Sequence, residues 1–108
     1  MNRFLLSSSL VVLLSASTAA FADPGLAKAR NCLACHASDK KLIGPSFKDV
    51  SARYANDKDA PNRLARKIRE GGVGAWGQIP MPANQQVSPD EALTLSTWIL
   101  SGAKPGGR

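Results

Sequence analysis

Cys32-Leu33-Ala34-Cys35-His36 is the stretch from which the rest of the chain can be read. Two thiols followed at once by an imidazole form the C-x-x-C-H pattern that attaches a haem. The chemistry explains the spacing. Two sulfurs must reach two vinyl groups on neighbouring edges of one porphyrin while the next side chain swings onto the iron, and a helical turn ending at His36 does all three. Three other uses of these residues fit less well. A thioredoxin-like redox pair belongs in a βαβ context that this chain lacks. A structural zinc site needs a fourth ligand, and the chain holds only 2 Cys and 1 His. A disulfide across so short a loop would stabilise little, because the entropic gain grows with loop length.

Upstream, Asn2 and Arg3 precede the apolar run from Phe4 to Leu14, and small residues end in Ala20-Phe21-Ala22, an A-x-A cleavage pattern. A membrane-spanning helix needs about 20 strongly apolar residues, and serines and a threonine interrupt this run. Residues 1–22 therefore read as a signal peptide and 23–108 as one mature domain of 86 residues. A domain of that size needs a staple or a cofactor to complete its interior. Its aromatics are only Phe47, Tyr54, Trp76 and Trp98, a thin core of its own. Removing Arg3 from the 14 basic residues leaves 13 against 8 acidic ones, a formal charge of +5. Export argues against nucleic acid as a partner, as does the dispersal of the basic residues without interleaved aromatics. An acidic protein partner suits the charge.

Downstream, the chain punctuates itself into helices. Asp23-Pro24 reads as an N-cap and first helical position, opening a short helix through Leu26, Ala27 and Ala29. Ser46 caps a second helix with Phe47, Val50 and Tyr54 on one face. Asp59 to Pro61 opens a third, carrying Leu64 and Ile68 and stopped by Gly71-Gly72. Ser88, Pro89 and Glu91 spell a capping box for the last, with Ala92, Leu95 and Ile99 as its stripe beside Trp98. The stretch from Gly71 to Gln86 is rich in Gly and Pro and reads as an irregular functional segment, and no part of the mature chain reads as a strand. The expected architecture is all-α, about four helices around one haem.

The second iron ligand follows by elimination. His36 is the only histidine, and once Met1 leaves with the signal peptide, Met81 is the only methionine. It sits in Ile79-Pro80-Met81-Pro82, where prolines stiffen the backbone on both sides. A methionine there is poor core filler and a good ligand. His36 and Met81 together close the coordination sphere and raise the potential, which favours outer-sphere electron transfer over catalysis at the iron.

Four segments in this order resemble the small bacterial class I cytochromes c of the cytochrome c-551/c-552 type. They are Cys32 to His36, Ile43-Gly44-Pro45-Ser46-Phe47-Lys48-Asp49-Val50, Trp76-Gly77-Gln78-Ile79-Pro80-Met81-Pro82, and Asp90-Glu91-Ala92 with Trp98. The resemblance implies the compact class I fold and one haem c held by two thioethers. It also implies that the Pro45 carbonyl accepts from the His36 ring, that Trp76 donates its indole N–H to a haem propionate, and that Asn84 approaches the Met81 sulfur. Lys67 stands where an arginine often pairs with a propionate; without the planar fork it is expected to be solvated. Asn31 replaces a usual glycine, Ala27 a common aromatic, and Gln78 and Ala83 stand at frequent proline positions.

The expected function is single-electron carriage in the periplasm, not enzymatic catalysis, by a monomer without stable membrane association. Partners would dock at the exposed haem edge through acidic patches facing Lys28, Lys40, Lys41 and Lys48. Two alternatives stay open on the sequence: a haem enzyme or gas sensor if Met81 is displaceable, and a dedicated subunit of a larger oxidoreductase.

Overall fold

The computed structural model of the chain describes residues 11–13 and 24–105. The expected signal peptide over residues 1–22 and the expected Asp23 cap lie outside the described residues, except for Val11 to Leu13, which are exposed and carry no regular structure. Among the described residues no helix is long and apolar enough to cross a membrane.

Helix α1 spans Pro24–Ala29, and a 3-10 turn follows at Cys32–Ala34. Between them Asn31 takes the left-handed conformation, φ 64° and ψ 19°. That explains why asparagine can replace glycine here: it tolerates this region better than other side chains with a Cβ. Ala27 is fully buried, so α1 presents a small side chain rather than an aromatic to the core.

Helix α2 covers Phe47–Arg53, with the Ser46 hydroxyl accepting from the Asp49 N–H at 3.0 Å. Helix α3 covers Ala60–Glu70 and ends at Gly71. Helix α4 covers Pro89–Leu100, and its capping box is complete: the Glu91 N–H donates to Ser88 Oγ at 3.1 Å and the Ser88 N–H to Glu91 Oε1 at 3.0 Å. The starts of α2 and α4 follow the capping chemistry of the sequence, whereas Asp59 stands at the N-cap of α3 without a side-chain cap bond.

The expectation that Gly71 to Gln86 holds no regular structure needs correction. Strand β1 (Gly72–Gly74) pairs antiparallel with β2 (Gly77–Met81), matching Gly72 to Met81 and Gly74 to Gly77 with an irregularity between. Ala75 and Trp76 form the turn. These strands have neither the apolar alternation nor the β-branched enrichment by which strands are recognised. Pro80 is tolerated because a two-stranded ribbon leaves each strand a free edge. The ribbon is an adjunct to four helices and leaves the helical architecture intact.

The core lies where α3 and α2 pack on α4. Phe47, Val50, Ile68, Val87, Leu95 and Ile99 are buried, with Ala27, Ala92 and Ala103 filling small spaces. Fully buried Ser96 donates its hydroxyl to the Pro61 carbonyl at 2.7 Å, tying α4 to the first turn of α3. Ser51 does the same from α2, donating to the Leu100 carbonyl at 2.9 Å.

Arg30 reaches back to α4, its guanidinium 2.7 Å from Glu91 Oε2. That bond first, and the Ser88 N–H second, hold the Glu91 carboxyl below the usual carboxylate range. A depressed folded-state pKa stabilises above the unfolded pKa and loses that contribution as pH falls through the folded one. Arg30→Gln is therefore expected to lower the unfolding midpoint at neutral pH. The gap to the wild type should close at acid pH, once Glu91 is protonated in both. Denaturant titrations across the acid range measure it.

Candidate functional site

A cavity of about 570 Å³ opens between the 3-10 turn, α2, α3 and the β1–β2 ribbon. Cys32, Cys35, His36, Pro45, Trp76, Met81 and Asn84 all line it, so the fold brings every residue expected at the haem to one place. Its apolar walls come from Phe47, Val50, Leu64, Ile68 and Ile99, supplied by the three longer helices. A predominantly apolar cleft of this size with a few converging polar groups is the ordinary form of a cofactor site.

His36 is held on three sides. Its Nδ1 lies 2.7 Å from the Pro45 carbonyl oxygen. A carbonyl can only accept, so Nδ1 carries the proton and Nε2 keeps its lone pair for a metal. The ring stacks on Phe47 at 5.2 Å and 20° between planes, and Phe47 meets Trp98 edge-on at 5.4 Å. Gly44 closes the third side. A Cβ there would sit 2.5 Å from the His36 ring carbon Cε1, so only glycine allows the Gly44-Pro45 backbone to come so near. The loop is fastened by the Gly44 N–H donating to the Cys35 carbonyl at 2.8 Å and the Phe47 N–H to the Ala37 carbonyl at 2.9 Å.

Both cysteines are free and half-buried. Burial pushes the Cys32 thiol up, the reverse of the activation that a thiol–disulfide exchange pair needs. Among the described residues no group of three or more His, Cys, Asp and Glu is placed to hold a metal ion. The zinc reading therefore finds no further ligand beside Cys32, Cys35 and His36 among the described residues.

Met81 ends β2, half-buried against the core cluster. Asn84 anchors the segment that follows. Its side-chain amide donates to the Ile68 carbonyl at 3.0 Å and to the Pro82 carbonyl at 3.3 Å, while its Oδ1 accepts from Gln86. With both amide hydrogens on carbonyls, Asn84 has none left for a thioether in this arrangement. It ties the C-terminal end of α3 to the backbone just after Met81.

Trp76 is 40 % exposed at the cavity wall, with the Arg53 guanidinium carbon 4.4 Å from its ring centroid. Lys67 departs from the solvated side chain expected of it. It is half-buried in the cavity wall and passes over Gly72, where a Cβ would lie 2.5 Å from its Nζ. Two neighbours of the site escaped the sequence reading. Gly44 was quoted only within the Ile43 to Val50 segment, and Arg53 drew no reading, because the Ala75 carbonyl to which it donates is 22 positions away.

A family model for cytochrome c matches residues 24–103. The chain belongs to the cytochrome c family. It is 51 % identical over 80 residues to cytochrome c-552 of Nitrosomonas europaea, covering 74 % of this chain and 78 % of that one. It is 54 % identical over 76 residues to cytochrome c-551 of Azotobacter vinelandii, covering 70 % and 92 %. With cytochrome c-552 of Hydrogenobacter thermophilus it shares 45 % identity over 101 residues, covering 94 % and 98 %. The crystal structure of wild-type Nitrosomonas europaea cytochrome c552 superposes with a TM-score of 0.73 at 50 % identity, covering 74 % of this chain and 99 % of that one. This cytochrome c is accordingly a small class I protein with one covalently attached haem, an electron carrier and not an enzyme.

Proposed function

We propose that this cytochrome c carries single electrons in the periplasm with a haem iron ligated by His36 and Met81. The carrying observation is the His36–Pro45 contact of 2.7 Å, which suits a proton on Nδ1 and supports Nε2 as the ligand atom in the same cavity that Met81 lines. Cys32 and Cys35, on the turn beside His36, would hold the haem by two thioethers. The haem iron supplies the one-electron couple, and the chain's residues decide how little rearranges when it turns over.

Those residues act by restraint. Gly44, Pro45 and Phe47 fix the imidazole plane, and the Pro45 carbonyl raises its basicity as a ligand's outer partner does. β2 and the Asn84 bonds hold the Met81 segment. Trp76, and Lys67 with a point charge rather than a fork, line the wall where propionates would be neutralised. Residues 1–22 would direct export and leave after Ala22. Redox partners would dock at the cavity mouth, where Ile43, Val73 and Ile79 are exposed, through acidic patches facing Lys28, Lys40, Lys41 and Lys48. Such charge pairing raises encounter rate more than affinity, as a monomeric carrier with fast release requires.

The test is the absorption spectrum of the ferric holoprotein beside that of Met81→Ala. The native protein is expected to show a far-red methionine–iron charge-transfer band that disappears on substitution. The substituted protein should bind carbon monoxide rapidly when reduced, and the native one should not. A band that survives Met81→Ala removes Met81 from the iron.

A further inference from the structure

Arg53 is the last residue of α2, yet its side chain leaves the helix and crosses to the β1–β2 turn. There it makes two contacts at once: an Nη1 hydrogen donates to the Ala75 carbonyl oxygen, and the guanidinium lies 4.4 Å from the centre of the Trp76 ring. Few other contacts restrain this turn. Val73, Gly74, Ala75 and Trp76 are exposed, and β1 has only three residues and pairs with β2 alone. A two-stranded ribbon of this length is marginal by itself. It nonetheless forms one wall of the cavity and carries Met81 at the end of its second strand.

We propose that Arg53 is a positioning residue that latches the β1–β2 turn to α2, setting Trp76 against the cavity and steadying the strand that presents Met81. The chemistry favours arginine over lysine. A planar guanidinium stacks on an indole face and keeps its edge hydrogens for a carbonyl, whereas an ammonium cannot do both in one geometry. Charge contributes separately, because a cation near the cavity favours the reduced centre whatever its shape. The latch itself rests on contacts within the chain; only its consequence for the potential rests on the proposed haem ligation.

The experiment compares reduced, diamagnetic holoproteins carrying Arg53, Arg53→Lys and Arg53→Ala. The measurements are amide hydrogen exchange, the two indole N–H resonances and the reduction potential. Trp98 is an internal control, since its indole donates to the Lys104 carbonyl at 2.9 Å, outside the latch. In Arg53→Ala the ribbon amides are expected to exchange about fivefold faster or more, the size of one exposed cation–π contact even without the hydrogen bond to Ala75. The Trp76 resonance should move, the α4 amides and Trp98 should not, and the potential should fall. Arg53→Lys should recover part of the potential and none of the ribbon protection. Unchanged ribbon exchange in Arg53→Ala would overturn the latch, and so would full rescue by lysine, which would reduce Arg53 to a charge. A shifted potential with unshifted exchange also counts against it.

Discussion

Replacing Cys32 and Cys35 together by alanine is expected to leave a chain that neither retains haem on a denaturing gel nor holds its helices. The reason lies in how thin this domain's own core is. Its largest fully buried side chains are Leu95, Val87 and Ser96, and much of the remaining buried surface is alanine. Phe47, Val50, Ile68 and Ile99, the side chains that should form the middle, all line the cavity of about 570 Å³. Left unfilled, an apolar cleft of this size forfeits the packing contacts of the side chains that line it and wets their surface, in a domain with only about 5–15 kcal/mol to spare. Without the thioethers the filling group dissociates on any partial unfolding. Haem-stained denaturing electrophoresis and far-ultraviolet circular dichroism read the two halves of the prediction. Either single substitution keeps one thioether and should fall between. A double variant with native helicity and no haem would show that the protein packs its own interior.

The second large effect is expected at Gly71, which combines φ 70° with ψ −165°. That region is essentially open to glycine alone, and a side chain there costs about 1–3 kcal/mol in backbone strain. Space is also lacking. A Cβ on Gly71 would strike the Met81 carbonyl oxygen and lie 2.7 Å from the Ala83 nitrogen, both backbone atoms that cannot rotate away. Gly71→Ala should therefore lose about 3 kcal/mol or more, because the strain is joined by overpacking. It should also weaken the far-red methionine band, because the segment displaced is the one carrying Met81. Gly74→Ala is the matched control: its φ is 100° but nothing lies within 4 Å of the added carbon. It should lose about 1 kcal/mol and leave the band unchanged. Urea unfolding and ferric spectra of the two variants separate strain from collision.

What could be read before the chain was folded was local chemistry. Ser46 and Ser88 mark helix starts because a hydroxyl satisfies an N–H only a turn away, and Glu91 completes its box within three residues. The Phe47, Val50 face and the Ala92, Leu95, Ile99 stripe follow from a period that the helix itself imposes. Asn31 was visible as a departure from glycine, but its left-handed backbone was not. The ribbon was illegible because Gly72 to Met81 carries no strand pattern, and its pairing exists only between two segments that meet in space. Arg53 on Trp76, Lys67 over Gly72 and the Asn84 bonds to Ile68 and Pro82 share that character.

Attachment chemistry, the single histidine, the single methionine beyond Met1 and the capped starts of α2 and α4 were legible in the sequence alone, because each depends on residues close along the chain or on a count. The rest was decided by tertiary structure: which nitrogen of His36 is left for a metal, how near Gly44 must come, and what holds the turn that carries Trp76. Those depend on the distance between groups far apart in sequence, and close packing around one cavity sets that distance.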